Sequence, residues 1–319
     1  MARYAAAFGP HSPEATYVAH QFAEQQFDTG EVLLNYAVTG NAGKPPLLLI
    51  PGQSESWWGY EAAMSLLGKN FHVYAVDLRG QGRSTRTPGR YTFDNFGNDL
   101  VRFLDDVIGR PAVVSGLSSG GVVCAWLSAY AKPGQLIGAC YEDPPLFSCE
   151  VAPAVGQGIG QGIGAVFGLW SKYLGDQWSI GDWDGLIAAA PNELAPWQAA
   201  LLSARAGGEP PQSLREYDPE WGRAFLSGAA TAGAPHHLML AAVKVPVLFT
   251  HHFRMVDEST GQLLGATSDL QAKRVVELVE STGQPVTYQS HPTMGHSMHG
   301  QDPELFSRTL TEWFTTLRP

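Results

Sequence analysis

The pentapeptide Gly116-Leu117-Ser118-Ser119-Gly120 has the spacing G-x-S-x-G and lies between an apolar run, Pro111–Val114, and a helix-like segment, Gly120–Tyr130. A serine on so sharp a strand-to-helix turn is held in a strained backbone conformation with its Oγ raised above the sheet, and small neighbours let strand and helix approach. The helix N-terminus behind it favours developing negative charge. Serine also caps helices without doing chemistry. Strand, elbow and helix occur together here, with partners following in the expected order, so Ser118 is read as a nucleophile.

An acyl-transfer nucleophile needs a base, an acid to orient that base, and N–H donors aimed at the oxyanion. One donor is the residue after the nucleophile, Ser119; the other is expected from Ile50-Pro51-Gly52-Gln53, where Gly52 permits the turn and Gln53 donates. Three histidines, His291, His296 and His299, crowd the segment HPTMGHSMHG before the last helix. His296, freed by Gly295, is taken as the base. A zinc site would need His251-His252 to join a loosely spaced set and would leave Ser118 without a role, so no metal and no cofactor are expected. The acid has two candidate positions: Asp257 in HHFRMVDESTG, with Asp269 expected to cap the following helix, or Glu142 and Asp143 in CYEDPP. Consecutive residues leaving a strand point opposite ways, so one of the latter two is expected to face the site. On position alone Glu142 and Asp257 are even.

The elements needed to position these groups are legible. A hairpin is expected from His20–Asp28 and Glu31–Val38 across Thr29-Gly30. Buried parallel strands are expected at Leu47–Ile50, Phe71–Val76, Pro111–Val114 and Leu136–Tyr141. Tyr91–Ile108 carries Phe96, Leu100, Phe103, Leu104 and Val107 at helical spacing. Strand-like runs stop between Pro144 and Pro235, where Trp, Gly and Pro abound, and resume with Val245–Thr250, Asp269–Ser281 (helix), Val286–Ser290 and Pro303–Leu317 (helix). That alternation implies an α/β protein, a mostly parallel sheet with helices on both faces and a helical cap inserted between strands 6 and 7. The expected division is a first core part at 1–143 with an N-terminal arm, a cap at 144–240 and a second core part at 241–319. Within the cap, Gly160-x-Gly162-x-x-Ala165 superficially matches a dinucleotide fingerprint but lacks the preceding strand that motif requires.

Composition narrows the function. Of 319 residues 16% are charged, with a formal net charge of −10. Such an acidic chain without a Lys/Arg run disfavours nucleic acid and an anionic membrane surface as partners. No apolar stretch is long enough to span a bilayer and no export signal is evident, so a cytoplasmic location is expected. Three cysteines without a CxxC pair read as buried thiols. Oligomeric state stays open, with a homo-oligomer compatible.

Asp77-Leu-Arg-Gly-Gln-Gly-Arg-Ser84 together with the elbow resembles the α/β-hydrolase superfamily. A narrower likeness runs over nearly the whole chain: Ser56–Tyr60, Tyr91–Leu100, Asp176–Trp183, Glu216–Phe225, Thr250–Asp269 and Tyr288–Pro292 resemble the zearalenone lactone hydrolases, in particular the actinobacterial form. The resemblance implies hydrolysis of a macrocyclic resorcylic-acid lactone and a triad carboxylate after the sixth strand, at Glu142. It also places the family's cap tryptophan near Trp221. Trp178, Trp183, Trp197 and Trp221, with Phe167, Trp170 and Tyr173, could wall a flat aromatic lactone, and Gly52 would sit beside it. A general carboxylesterase, a carbon–carbon bond hydrolase and a slow hydrolase-like ligand receptor share this chemistry.

Overall fold

The computed structural model describes residues 18–175, 181–196, 198–199, 210–258 and 260–317. Eight strands form one sheet: β1 (Glu24–Asp28), β2 (Leu33–Thr39), β3 (Pro46–Ile50), β4 (His72–Val76), β5 (Ala112–Leu117), β6 (Leu136–Glu142), β7 (Val247–His251) and, last in the chain, β10 (Val286–Ser290). Their order is β1-β2-β4-β3-β5-β6-β7-β10. β2 pairs antiparallel with β1 and β4, and every other pairing is parallel. The central strands β3, β5 and β7 are buried along their whole length, whereas the edge strands β1 and β10 alternate with exposed positions. Continuous apolar runs suit strands covered on both faces.

Side-chain alternation divides the core in two. Leu48, Ile50 and Val114 point to one face, where α2 (Phe93–Phe103), α3 (Ser119–Tyr130) and α9 (Asp269–Glu280) supply Phe96, Val122 and Val275. Leu47, Leu49 and Val113 point to the other, where α1 (Glu61–Leu67) and α11 (Pro303–Thr316) supply Met64, Leu310 and Trp313. Local signals set the helix ends. Thr92 caps α2 by accepting the Asn95 N–H at 3.1 Å. The last turn of that segment widens into a π turn, Leu104–Ile108, and stops at Gly109 with φ 67°. Ser268 caps α9, with Gln271 completing a capping box, so the expected cap at Asp269 is displaced by one residue into the first turn. A short hairpin of β8 (Met255–Val256) and β9 (Leu263–Leu264), absent from the sequence reading, follows β7.

The cap enters between β6 and β7, as expected. It carries α4 (Gly164–Tyr173), α5 (Trp183–Glu193), α6 (Gln212–Arg215), α7 (Glu220–Leu226) and α8 (His236–Leu240), with no strand among its described residues. The glycine-rich run meets a 3-10 turn, Ile159–Gln161, and then α4.

Residues 216–221 fasten the cap to the core. Glu216 accepts from Ser56 Oγ at 2.5 Å and Trp58 Nε1 at 3.0 Å, the Tyr217 hydroxyl accepts from Gln53 Nε2, and Asp218 accepts from Arg86 Nε at 2.9 Å and the Tyr91 hydroxyl at 2.5 Å. Trp221 is fully enclosed, stacks on Phe96 at 4.2 Å and donates its indole N–H to the Arg79 carbonyl at 2.9 Å. The side chain expected against substrate is thus used to join cap and core. The three cysteines are free and buried; burial pushes the Cys140 thiol up to about 12 and those of Cys124 and Cys149 well above their ordinary range.

The backbone approach at the elbow is tight. A Cβ on Gly120 would lie 2.3 Å from the Ile50 carbonyl oxygen and 2.6 Å from that of Pro51, and one on Gly116 would lie 2.4 Å from Gly120. Gly120→Ala should therefore cost about 1–3 kcal/mol or more by overpacking, whereas Gly160→Ala, which meets nothing within 4 Å, should stay within about 0.5 kcal/mol. Denaturant unfolding of both variants checks the contrast.

Candidate active site

Ser118 leaves β5 with φ 54° and ψ −124°, a conformation that costs a non-glycine residue energy. Its own N–H donates to the Glu142 carbonyl at 2.8 Å, and Val122 N–H donates to its carbonyl at 3.1 Å, tying the turn to β6 and to α3. Among the described residues, four non-glycines have positive φ: Ser54, Ser118, Asp143 and Phe147. The first three follow the carboxyl ends of β3, β5 and β6, which are neighbours in the sheet. Ligands of open parallel sheets bind beyond the carboxyl ends of the strands, and local strain concentrates at functional sites.

The oxyanion side is compact. The Cβ position of Gly52 lies 3.1 Å from Ser118 Cβ, so a larger residue would press on the nucleophile. Gly52 N–H donates to Glu55 Oε2 at 3.1 Å, and Glu55 N–H donates to the Gly52 carbonyl at 3.3 Å and to Gln81 Oε1 at 3.2 Å. These bonds close the turn that presents Gln53. Ser119 opens α3, where the first backbone N–H groups have no intrahelical acceptor. Gly52, Gln53, Ser118 and Ser119 therefore meet at one end of the sheet, the location expected for them.

The acid partners differ from expectation. His296 Nδ1 bonds Asp143 Oδ2 at 2.7 Å, not Glu142. Asp143 Oδ1 accepts the His252 N–H at 3.0 Å, and Asp143 N–H donates to the Thr250 carbonyl at 2.8 Å. Glu142 is bonded instead to His299, accepting its backbone N–H at 3.0 Å and its Nδ1–H at 2.8 Å. The expectation that only one of the two acids faces the histidine loop rests on extended-strand alternation, and Asp143, at φ 40°, is no longer extended. Its side chain reaches His296 while that of Glu142 reaches His299, so both acids face the histidine segment.

The two pairs sit in different surroundings. His296 keeps 49% of its side chain exposed, whereas His299 and Glu142 are enclosed. His299 stacks on Tyr60 at 3.7 Å and has Glu55 Oε1 3.9 Å from Nε2. Desolvation by the surrounding protein opposes charge on His296, but the hydrogen bond and charge of Asp143, with Glu55 and Glu142 further off, outweigh it and raise its pKa above the usual 6.5. Burial likewise opposes charge on His299, and Glu142 and Glu55 more than reverse it. Burial pushes both carboxyl groups up, yet their histidine partners bring Asp143 and Glu142 below their ordinary values.

The other candidates have separate tasks. Asp257 closes the turn between β8 and β9, where its carboxylate accepts from Thr260 N–H at 3.1 Å and its backbone pairs with Gln262 and Gly261. His291 N–H donates to the His251 carbonyl at 2.8 Å, and its Nε2 lies 3.3 Å from Gln289 Oε1. Trp183 is buried in the first turn of α5; Trp178 and Trp197 lie outside the described residues. His252 was missed as a site residue: its Nδ1 lies 3.0 Å from the Gly295 carbonyl and 2.9 Å from that of His296, so it holds the base-bearing loop against β7. The His251-His252 pair at the end of a strand was the available signal.

Comparison with known proteins adds the following. A family model described as "Alpha/beta hydrolase family" matches residues 47–309. Over 100 residues the chain is 29% identical to 3-oxoadipate enol-lactonase 2 of Acinetobacter baylyi, covering 31% of this chain and 38% of that one, so the match spans little more than a third of that relative's length. The enol-lactonase structure from Burkholderia xenovorans LB400 superposes with a TM-score of 0.62 at 15% identity, covering 91% of this chain and 100% of that one. An esterase from Rhodococcus sp. ECU1013 superposes with a TM-score of 0.60 at 21% identity, covering 93% and 99%.

Glu142→Gln removes one member of a buried pair and should cost about 3–5 kcal/mol of stability. The lowered Glu142 pKa contributes stability above the unfolded value of 4.5 that is lost as pH falls through the folded value, and the raised His299 pKa contributes stability below 6.5 that is lost as pH rises through its folded value. The penalty of Glu142→Gln, measured by urea unfolding across pH, should be largest between those limits and shrink on either side.

Proposed function

The chain belongs to the alpha/beta hydrolase family, and on that premise we propose that it hydrolyses carboxylic esters or lactones with Ser118, His296 and Asp143 as its triad. The observation that carries this reading is the 2.7 Å Asp143–His296 bond at the end of β6, next in the sheet to β5, which ends in a serine held on a strained elbow. With Nδ1 engaged by Asp143, Nε2 of His296 is the ring nitrogen left for the nucleophile. It takes the Ser118 proton as Oγ attacks the ester carbonyl, and the N–H groups of Gln53 and Ser119 receive the oxyanion. Collapse breaks the acyl C–O bond, and His296 returns its proton to the departing alkoxide, which in a lactone remains tethered to the acyl group. Water, deprotonated by His296, then releases the acid and restores the Ser118 hydroxyl.

The sequence likeness to an enol-lactonase supports ester or lactone cleavage. A narrower reading, a macrocyclic resorcylic-acid lactone such as zearalenone, rests on the six resembling segments, of which Glu216–Phe225 builds the junction between cap and core. Incubating the purified protein with zearalenone, a phenolic enol-lactone and simple aryl esters, and measuring kcat/KM for each, ranks these readings. Ring opening of zearalenone slower than aryl-ester turnover leaves the general esterase.

Ser118→Ala should lower kcat by about 10⁴ or more without loss of folding. Asp143→Asn should lower it by roughly 10³ to 10⁴, since an amide cannot stabilise the imidazolium, whereas Asp257→Asn should stay near wild type. Catalysis requires neutral His296, so the raised pKa puts the acid limb of kcat/KM above 6.5. Activity should fall as pH drops through that limb, and Asp143→Asn should move its midpoint down. EDTA should leave the rate unchanged.

A further inference from the structure

The turn that presents Gln53 is strained and is held by contacts from both the core and the cap. Ser54, the next residue, has φ 60°, so the Gln53 N–H points where it does only while neighbouring contacts hold the turn. Glu55 braces Gly52 from the core side, at 3.1 Å from its N–H. From the opposite side the Gln53 carboxamide donates to the hydroxyl of Tyr217, 164 residues later in the chain and in the cap. Tyr217 is itself immobilised: it is 1% exposed, its ring meets Trp170 edge-on at 5.6 Å, and its neighbours Glu216 and Asp218 are bonded to core side chains. Burial raises its phenol well above the ordinary value, so the hydroxyl stays neutral. A rigid aromatic anchor of this kind can fix a partner that its own loop leaves loose.

We propose that Tyr217 is a positioning residue for the oxyanion hole: by holding the Gln53 side chain it orients the Gln53 N–H, so the hole is complete only when the cap is seated. The proposal rests on the serine-hydrolase reading above and adds to it a link between the cap and the step in which the oxyanion forms. A donor that is misaimed in the transition state lowers kcat more than it raises KM.

The test compares Tyr217→Phe, which removes one hydroxyl, with Gln53→Leu, which keeps the N–H and removes the tie, and with the double variant. Ser56→Ala serves as the control, because it breaks another buried cap–core bond, at 2.5 Å to Glu216, that does not involve Gln53. Steady-state kinetics with a p-nitrophenyl ester are run beside the rate at which a fluorophosphonate labels Ser118. Each single variant should lose about 5–50-fold in kcat and in labelling rate with KM changed less than about threefold, and the double variant should be no worse than the poorer single one. Ser56→Ala should keep the wild-type kcat while unfolding at lower temperature. Additive losses, an effect confined to KM, or an equal fall in Ser56→Ala would overturn the proposal. If wild-type Ser118 is labelled and the variants match its rate, the positioning role fails alone; if wild-type Ser118 is not labelled, the serine-hydrolase reading fails and takes the proposal with it.

Discussion

The architecture turns on one backbone approach. α3 begins so close to the end of β3 that the Cα of Gly120 faces the carbonyls of Ile50 and Pro51 with no room for a side chain. That approach leaves Ser118 in a positive-φ turn and brings the Gly52 loop into contact with the nucleophile. The sheet tolerates the strain because β3 and β5 are buried along their length and β5 is paired on both sides, with β3 and β6, so the turn cannot relax without breaking ladders. The Ser118 turn and the Gly52 loop beside it thus share a single close contact between backbones.

The second constraint is electrostatic. Two adjacent carboxylates at the end of β6 each hold a histidine from the segment between β10 and the last helix, and the two pairs differ in exposure. Asp143 is itself buried, but its partner His296 keeps half of its side chain exposed; Glu142 and His299 are both enclosed, with His299 stacked on Tyr60 and facing Glu55. An enclosed pair is costly to assemble and costly to break, which makes it a poor proton carrier and a firm strut.

Much of this was legible from residue types. Continuous apolar runs marked the central strands, the G-x-S-x-G spacing marked the elbow, and Gly295 singled out His296. The carboxylate partner of His296 was not, because position left Glu142 and Asp257 even and the choice of Glu142 came from the resemblance; the positive φ at Asp143 accompanies bonds to Thr250 and His252, which are more than a hundred residues away. The surroundings of Trp221 were not legible either: a tryptophan in a cap can face a ligand or the core with the same sequence, and its stacking on Phe96 and bond to the Arg79 carbonyl appear only in the fold. Glu216 and Tyr217 stood inside a segment noted for its likeness to a family, without a sign that they reach Ser56, Trp58 and Gln53.

The three buried thiols bear on how the molecule breathes. With their pKa values driven up and their surfaces enclosed, none presents a thiolate to an alkylating reagent while its surroundings stay shut. Cys149 lies at the base of the cap against His236, 3.9 Å from Nε2, whereas Cys124 lies in α3 behind the nucleophile and Cys140 in β6. Exposing the first would require the foot of the cap to part from the core, whereas exposing the other two would require the sheet and its helix to separate. The native cysteines therefore report on two different regions, one at the foot of the cap and the other within the sheet and the helix packed on it.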